Sequence, residues 1–143
     1  MTVKAILDTK GREVVTIAAD KTLREAAELL AERRIGAVVV MDGQGHTGGI
    51  LSERDIVRAI AADGPAALER AVGTVMTARV KTCRETHTVN EVMQIMTQGR
   101  FRHLPVEKDG RLAGIISIGD VVKRRIEEVE READEIRTYI ATA

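Results

Sequence analysis

A seven-residue phrase occurs twice in this chain, and the repetition constrains the fold more than any other feature. Residues 49–55 read GILSERD and residues 114–120 read GIISIGD, so the second copy begins 65 residues after the first. Each copy has the pattern of a short apolar strand that runs into a helix, with a hydroxyl at the turn and a carboxylate three residues later. We therefore predict an internal duplication in which both copies form the same strand-to-helix junction.

The duplication extends beyond the phrase. Apolar residues recur at the three-and-four spacing of one helix face over Leu23–Leu30, and again over Val89–Met96, 66 residues later. The run Ala37–Met41 corresponds to His103–Glu107 at the same offset. Each copy is therefore predicted to form strand, helix, strand, strand, helix, which is an α/β (α+β) pattern.

The repeat boundaries predict the domain organisation. We assign residues 1–72 to the first repeat with an N-terminal lead-in, 73–126 to the second repeat, and 127–143 to a C-terminal helical extension. The 22 basic and 22 acidic side chains cancel, so bulk charge favours no nucleic-acid partner. Cys83 is the single cysteine, no signal-peptide pattern opens the chain, and no apolar run is long enough to cross a membrane. We expect a cytoplasmic protein without membrane insertion.

The repeats resemble a tandem pair of cystathionine-β-synthase (CBS) domains, often called a Bateman module, of the stand-alone bacterial type. The resemblance rests on the two Gly-apolar-apolar-Ser-x-x-Asp phrases, the linker Val75-Met76-Thr77 and the segment Arg102–Val106, and it spans about Val14–Arg125. It implies two βαββα repeats related by a pseudo-two-fold axis. It also implies two clefts between the repeats, where many relatives bind adenosine-containing ligands, and a regulatory function without catalysis.

The residue types in the phrase suit such a ligand. A carboxylate such as Asp55 or Asp120 accepts charge-assisted hydrogen bonds from both hydroxyls of a ribose. Ser52 and Ser117 stand where a helix begins, so a phosphate there meets a hydroxyl, unpaired N–H groups and the positive end of the helix dipole. Arg54 adds a fork-shaped donor. The Ser-x-x-Asp spacing is also close to a capping box that only satisfies the helix, and both interpretations stay open.

The family resemblance implies further contacts. It assigns Arg102 and His103 to the ligand phosphates, and main chain and side chains of the first strand of each repeat to the adenine, with an ordinary strand role as the alternative. Gly36 gives room for a close approach of backbone and ligand. The predicted adenine-nucleotide site comprises Thr16, Ile17, Gly36, Ser52, Arg54, Asp55, Val80, Thr82, Arg102, His103, Pro105, Ile115, Ser117 and Asp120.

Other chemistries lack their signatures. Residues 43–48 read GQGHTG, but a strand and not a helix follows, so the dinucleotide-binding interpretation fails on context. Cys83 and His87 are four residues apart without a second Cys or His pair to complete a four-ligand site. No Gly-x-Ser-x-Gly or Cys-x-x-Cys motif is present. We predict no metal site, no catalytic cofactor and no enzymatic activity.

An amphipathic pattern continues past the second repeat. From Val122 to Ile140, apolar residues step alternately by four and three, which is typical of a helix that pairs with another helix. This pattern predicts a homodimer, with folding back onto the module as the alternative. The main functional hypothesis is an energy-sensing module that binds AMP, or otherwise ADP, ATP or NAD(H), and signals to an unknown regulated protein. The alternative is a ligand-independent dimerisation or interaction scaffold.

Overall fold

A computed structural model describes residues 1–142 and confirms the mixed helix-and-strand pattern. Within this range the helices are α1 (Val3–Lys10), α2 (Leu23–Arg33), α3 (Glu53–Asp63), α4 (Val89–Gly99) and α5 (Ile118–Thr142). The strands are β1 (Thr16–Ala18), β2 (Ala37–Met41), β3 (Thr47–Ser52), β4 (His103–Lys108) and β5 (Arg111–Ser117). Two short 3-10 helices, Gly64–Glu69 and Val72–Thr74, connect α3 to the second repeat.

The contacts divide the chain into two compact units. The first-repeat unit comprises residues 13–81 and 109–113, and the second-repeat unit comprises residues 1–12, 82–108 and 114–142. The N-terminal segment therefore makes its contacts with the second repeat. The division at residues 72 and 126, drawn from the repeats, stays a prediction, and residue 143 of the predicted extension lies outside the described range.

A three-stranded sheet forms the centre of the first-repeat unit. Its order is β1-β2-β3, with β1 parallel and β3 antiparallel to β2. Val38, Val40 and Leu51 are fully buried and pack into a core with α2 and α3. Because β2 is covered on both faces, all four residues of Ala37–Val40 are buried, and the strand reads as a continuous apolar run instead of an alternating one.

Both repeats start their first helix with the same cap. Thr22 accepts the Glu25 N–H at 3.2 Å, and Glu25 accepts the Thr22 N–H at 3.3 Å, which completes a capping box. Thr88 and Glu91 repeat this arrangement at the start of α4. The conserved spacing of cap and apolar face confirms that the two helices are equivalent parts of a duplicated unit.

The second-repeat unit has a two-stranded sheet, β4-β5, and differs from the expected pattern in its first strand. The strand expected near Val80–Thr82 is reduced to a single parallel bridge between Cys83 and Val106. In the first repeat the N–H of Val39 donates to the carbonyl of Val15 at 3.2 Å. The equivalent residue of the second repeat is Pro105, which has no N–H to donate, so the parallel pairing is shorter.

The N-terminal helix closes the second-repeat unit. Val3, Ile6 and Leu7 of α1 are buried, and the N–H of Val3 donates to the carbonyl of His87 at 2.9 Å. In the first-repeat unit the equivalent hydrogen bond runs from the N–H of Val72 to the carbonyl of Lys21, at 2.7 Å. The N-terminal segment and the linker after α3 therefore perform the same structural role, each in its own unit.

The last helix of the second repeat does not stop where the repeat ends. Residues 118–142 form one continuous helix of 25 residues, and this helix includes residues 127–142 of the predicted helical extension. No Gly or Pro follows Gly119 in this stretch, and the charged residues after Val122 are good helix formers. The helix is about 37 Å long at 1.5 Å per residue.

We expect Gly49→Ala to destabilise the protein, whereas Gly43→Ala should be nearly neutral. A Cβ atom at Gly49 would collide with the carbonyl oxygen of Thr77, which is held in place by paired hydrogen bonds with Ile50 at 3.0 and 2.9 Å. A Cβ at Gly43 meets no atom within 4 Å. The backbone shift forced at Gly49 should cost about 1–3 kcal/mol of unfolding free energy, measured by urea denaturation. Equal urea midpoints for the two variants would contradict this account.

Candidate functional site

One hydrogen bond repeats at the strand-to-helix junction of each unit. The N–H of Glu53 donates to the carbonyl of Gly36 at 2.9 Å, and the N–H of Ile118 donates to the carbonyl of Arg102 at 2.8 Å. Each bond joins the first turn of a helix to the residue that precedes the middle strand of its repeat. The structure thus places Gly36 beside the start of α3, and Arg102 beside the start of α5.

The serine and aspartate of both phrases form capping interactions. Asp55 accepts the Ser52 N–H at 2.9 Å and the Ser52 hydroxyl at 3.1 Å through Oδ2, and the Asp55 N–H donates to Ser52 Oγ at 3.3 Å. Asp120 accepts the Ser117 N–H at 2.8 Å, and its own N–H donates to Ser117 Oγ at 3.1 Å. The capping interpretation is confirmed for both copies. It fixes each carboxylate at a helix N-terminus, where negative charge is favoured.

A lysine from α1 reaches the second of these carboxylates. Lys10 Nζ donates to Asp120 Oδ2 at 2.7 Å and to the carbonyl oxygen of Ile115 at 2.9 Å. The Lys10 side chain is 34% exposed and that of Asp120 is 26% exposed, so the ion pair is partly withdrawn from water. The bonds from Lys10 and from the Ser117 N–H both end on Oδ2, and neither uses Oδ1.

This environment keeps Asp120 ionised. Burial raises the pKa of the Asp120 carboxyl, but the hydrogen bonds from Lys10 and from the Ser117 N–H, together with the charge of Lys10, outweigh burial and lower the pKa overall. At neutral pH, Asp120 is therefore a fixed anion that carries a cation and a backbone donor on one oxygen.

Lys10 is a site residue that the sequence analysis missed. The sequence does contain a pattern that locates this lysine. Val3, Ile6 and Leu7 have the spacing of one apolar helix face, and Lys10 follows Leu7 by three residues on the same side of the helix. The spacing predicts that Lys10 lies near the buried face of α1. It gives no information about the distant carboxylate that this face meets.

Thr16, Ile17 and Arg54 of the first-repeat unit lie near one end of its sheet. Thr16 begins β1 and is exposed, while Ile17 is half-buried and packs against the core. Because β1 is parallel and β3 antiparallel to β2, β1 and β2 start at the end of the sheet where β3 finishes. Arg54 is exposed on the first turn of α3. Val80 is half-buried and lies outside any strand.

Several predicted residues of the second-repeat unit lie near the start of β4 or the end of β5. Arg102 is exposed, and His103 is half-buried at the start of β4. Pro105 is buried, and its carbonyl accepts the N–H of Cys83 at 3.0 Å. Thr82 and Ile115 are half-buried. Of these residues, Ile115 contacts the Lys10–Asp120 pair, since its carbonyl accepts a hydrogen bond from Lys10 Nζ at 2.9 Å. The roles of all five toward a ligand stay predictions.

Residues 1–142 contain neither a reactive cysteine nor a cluster of metal-binding side chains. Burial raises the pKa of the Cys83 thiol to about 12, so this cysteine stays protonated and weakly nucleophilic at neutral pH. Within residues 1–142, no three side chains of the His, Cys, Asp and Glu types cluster closely enough to hold a metal ion. Over the same range, no helix combines the length and the apolar character that membrane crossing requires.

Comparisons with known proteins place these units in a family. The CBS domain model matches residues 3–62 and again residues 72–127. Among curated proteins, the mitochondrial CBS domain-containing protein CBSX3 of Arabidopsis thaliana is 33% identical over 147 residues, covering 97% of this chain and 71% of that protein.

Solved structures agree with this assignment. The CBS-domain containing protein ATU1752 from Agrobacterium tumefaciens shares 54% sequence identity with a TM-score of 0.84, over 87% of this chain and 92% of its own. The CBS domain pair of protein MJ0100, solved in complex with 5′-methylthioadenosine and S-adenosyl-L-methionine, shares 26% identity with a TM-score of 0.79, over 90% of this chain and 98% of its own. The chain therefore belongs to the CBS domain family and carries two CBS domains in tandem.

Proposed function

We propose that this protein is a regulatory module that binds an adenosine-containing ligand, with the ribose hydroxyls on Asp120 and, in the other repeat, on Asp55. The observation that carries the proposal is the ionised Asp120 carboxylate. It is fixed by the Ser117 cap at the start of α5 and satisfied on Oδ2 by Lys10 at 2.7 Å. A carboxylate held in this way presents acceptors to a pair of neighbouring hydroxyls without reorganising the backbone.

Ligand binding at Asp120 involves an exchange of hydrogen-bond donors. A ribose that donates to Asp120 takes over the role that the Lys10 ammonium performs in the free protein. Because Lys10 has a long flexible side chain, its ammonium can leave Oδ2 without movement of α1. The displaced ammonium then lies near the helix N-terminus, where it favours a phosphate. This exchange supports an anionic nucleotide such as AMP over a neutral nucleoside.

The ligand class follows from the same chemistry. AMP is the preferred ligand, and ADP, ATP and NAD(H) share the adenosine group that Asp120 would recognise. The MJ0100 domain pair was solved with two other adenosine derivatives, S-adenosyl-L-methionine and 5′-methylthioadenosine. Their presence in a relative at 26% identity supports recognition of adenosine as the common feature. Adenine would be held by aliphatic side chains, such as Ile17 or Val80 in the first-repeat unit or Ile115 in the second-repeat unit, through burial of apolar area.

Regulation, and not catalysis, is the proposed outcome of binding. Occupancy would shift the equilibrium between conformations of a cytoplasmic homodimer and thereby alter a regulated protein. Such a shift requires that the ligand bind one conformation more tightly than the other. The proposed role is therefore to report the level of an adenine nucleotide to a partner.

Asp120→Ala should weaken nucleotide binding by about ten-fold or more, because hydrogen bonds to a charged acceptor each contribute about 1.5–3 kcal/mol. The measurement is isothermal titration of the full chain with AMP, ADP, ATP, NAD(H) and S-adenosyl-L-methionine. Asp120→Asn keeps a capping oxygen and tests whether any loss comes from the helix start instead. Asp134→Ala, on the exposed part of α5, is the matched control and should bind like the wild type.

Two outcomes would reject the proposal. Equal affinities for the wild type and a folded Asp120→Ala variant would show that this carboxylate does not hold the ribose. If none of the five ligands binds the wild-type chain, the ligand-independent scaffold becomes the better explanation.

Lys10→Met should change selectivity for phosphate. Removal of the competing ammonium should tighten binding of adenosine several-fold, whereas AMP gains less because its phosphate loses a cationic partner. The ratio of the two dissociation constants, measured by titration, should therefore move toward adenosine. Lys4→Met is the control, since Lys4 lies on the same helix and pairs only with the exposed Asp8 at 3.5 Å. An unchanged ratio in Lys10→Met would show that the ammonium neither competes with nor assists the ligand.

A further inference from the structure

An apolar stripe runs along the exposed side of α5. It consists of Val122, Ile126, Val129, Ala133, Ile136 and Ile140, spaced alternately by four and three residues. The five larger side chains of this α5 stripe are between 43% and 68% exposed. A stripe of this spacing and length is costly to leave in water and is typical of a helix with a helical partner.

Other residues of α5 attach the helix to its own unit. Val121 is buried, and Glu128 pairs with the terminal amino group of Met1 at 3.7 Å. After Glu128, each residue from 129 to 142 is exposed except the half-buried Ala133. This part of the helix extends about 21 Å beyond the attached part at 1.5 Å per residue. The α5 stripe is therefore not covered by residues 1–142 of the same chain, and the fold-back alternative fails for this segment.

The charges beside the stripe indicate what covers it. In heptad notation, Ile126, Ala133 and Ile140 take position a, while Val122, Val129 and Ile136 take position d. The flanking g positions are then Arg125, Glu132 and Tyr139, and the flanking e positions are Lys123, Glu130 and Arg137. In a parallel coiled coil, a g residue faces the e residue five positions later on the partner helix.

A second copy of α5 complements these charges only in the parallel orientation. In a parallel in-register pair, Arg125 faces Glu130 of the second copy and Glu132 faces Arg137, and symmetry doubles both attractive pairs.

The antiparallel register that uses the whole stripe brings like charges together. Glu132 then faces Glu132, Glu130 faces Glu130, and Lys123 faces Arg137 of the other copy. The flanking residues therefore discriminate strongly between the two orientations of the same apolar seam.

We propose that α5 pairs with α5 of a second copy as a parallel, in-register, two-stranded coiled coil. Two-fold symmetric dimers are the commonest assemblies of soluble proteins, and a parallel pair satisfies that symmetry with one axis along the helices. The parallel pairing specifies the geometry of the proposed homodimer, because it places both modules at the same end of the paired helices. The pairing of α5 does not require nucleotide, so it can be tested in ligand-free protein. The result of that test does not depend on the proposed binding site.

Charge reversal separates the orientations. Glu132→Lys and Arg137→Glu should each weaken dimerisation of the full chain about five- to thirty-fold, because two symmetric attractive pairs become repulsive. The double variant should restore the wild-type dissociation constant, measured by sedimentation equilibrium. Arg131→Glu, which faces away from the stripe, is the control and should dimerise normally. An antiparallel pair would instead respond little to Glu132→Lys and would tighten with Arg137→Glu.

Cross-linking tests the register directly. Ile136 meets Ile136 of the second copy only in the parallel in-register pair, so Ile136→Cys should give a disulfide-linked dimer on mild oxidation. The native Cys83 is buried and should not interfere. Asp134→Cys, outside the seam, is the control and should remain largely uncross-linked. A monomeric chain at all concentrations, a trimer, or a failure of Ile136→Cys to cross-link would overturn the proposal.

Discussion

The hydrogen bond between the first turn of a helix and the carbonyl before the middle strand organises both units. Glu53 donates to Gly36, and Ile118 donates to Arg102, at nearly equal distances of 2.9 and 2.8 Å. A helix N-terminus leaves several N–H groups without partners inside the helix. Here the carbonyl before the middle strand accepts one of these N–H groups, and the serine side chain accepts another. The start of the helix, the end of the preceding strand and the start of the middle strand are therefore held together. The positive end of the helix and a carboxylate meet at that point, and the proposed binding of a ribose and a phosphate rests on this arrangement.

The structural and the functional interpretations of the aspartates are compatible. A capping box uses one carboxylate oxygen for the backbone, and a carboxylate has two oxygens with about four acceptor positions. Asp120 accepts the Ser117 N–H through Oδ2, which orients Oδ1 without engaging it in that bond. The same interaction that starts the helix therefore sets the direction of the group proposed to bind the ligand. Substitutions at these positions must be read with both roles in mind, and for this reason Asp120→Asn is informative beside Asp120→Ala.

The local features of the fold could be predicted from the sequence, because they depend on residues close together in the chain. The phrase with Ser52 and Asp55 correctly predicted a strand that runs into a helix, and the apolar spacing after Thr22 and Thr88 correctly predicted two equivalent helices. The shortened first strand of the second repeat was also encoded, since Pro105 aligns with Val39, but recognising it required knowledge of which N–H donates in the first repeat.

Contacts between distant segments were not predictable in the same way. Lys10 and Asp120 are 110 residues apart, and nothing in the local pattern of either links them. Their contact depends on α1 packing in the second-repeat unit, which the order of segments in the chain does not suggest. The boundary at 126 was drawn from the end of the repeat and falls inside α5, because the helical pattern continues past it without a Gly or Pro to end the helix.

The position of Lys10 also makes the two junctions unequal. Within residues 1–142, Ser52 is the only residue that donates hydrogen bonds to the Asp55 carboxylate, whereas Asp120 also accepts one from the Lys10 ammonium. A ligand hydroxyl that donates to Oδ2 of Asp120 competes with this ion pair, and exposed or partly exposed pairs contribute up to about 1 kcal/mol. For a neutral adenosine derivative, this competition alone would weaken binding at Asp120 by up to about five-fold relative to an otherwise identical site without the lysine. For an anionic nucleotide the displaced ammonium offsets that cost through the phosphate. A single lysine from outside the repeated phrase would thus give the two proposed sites different preferences for charge.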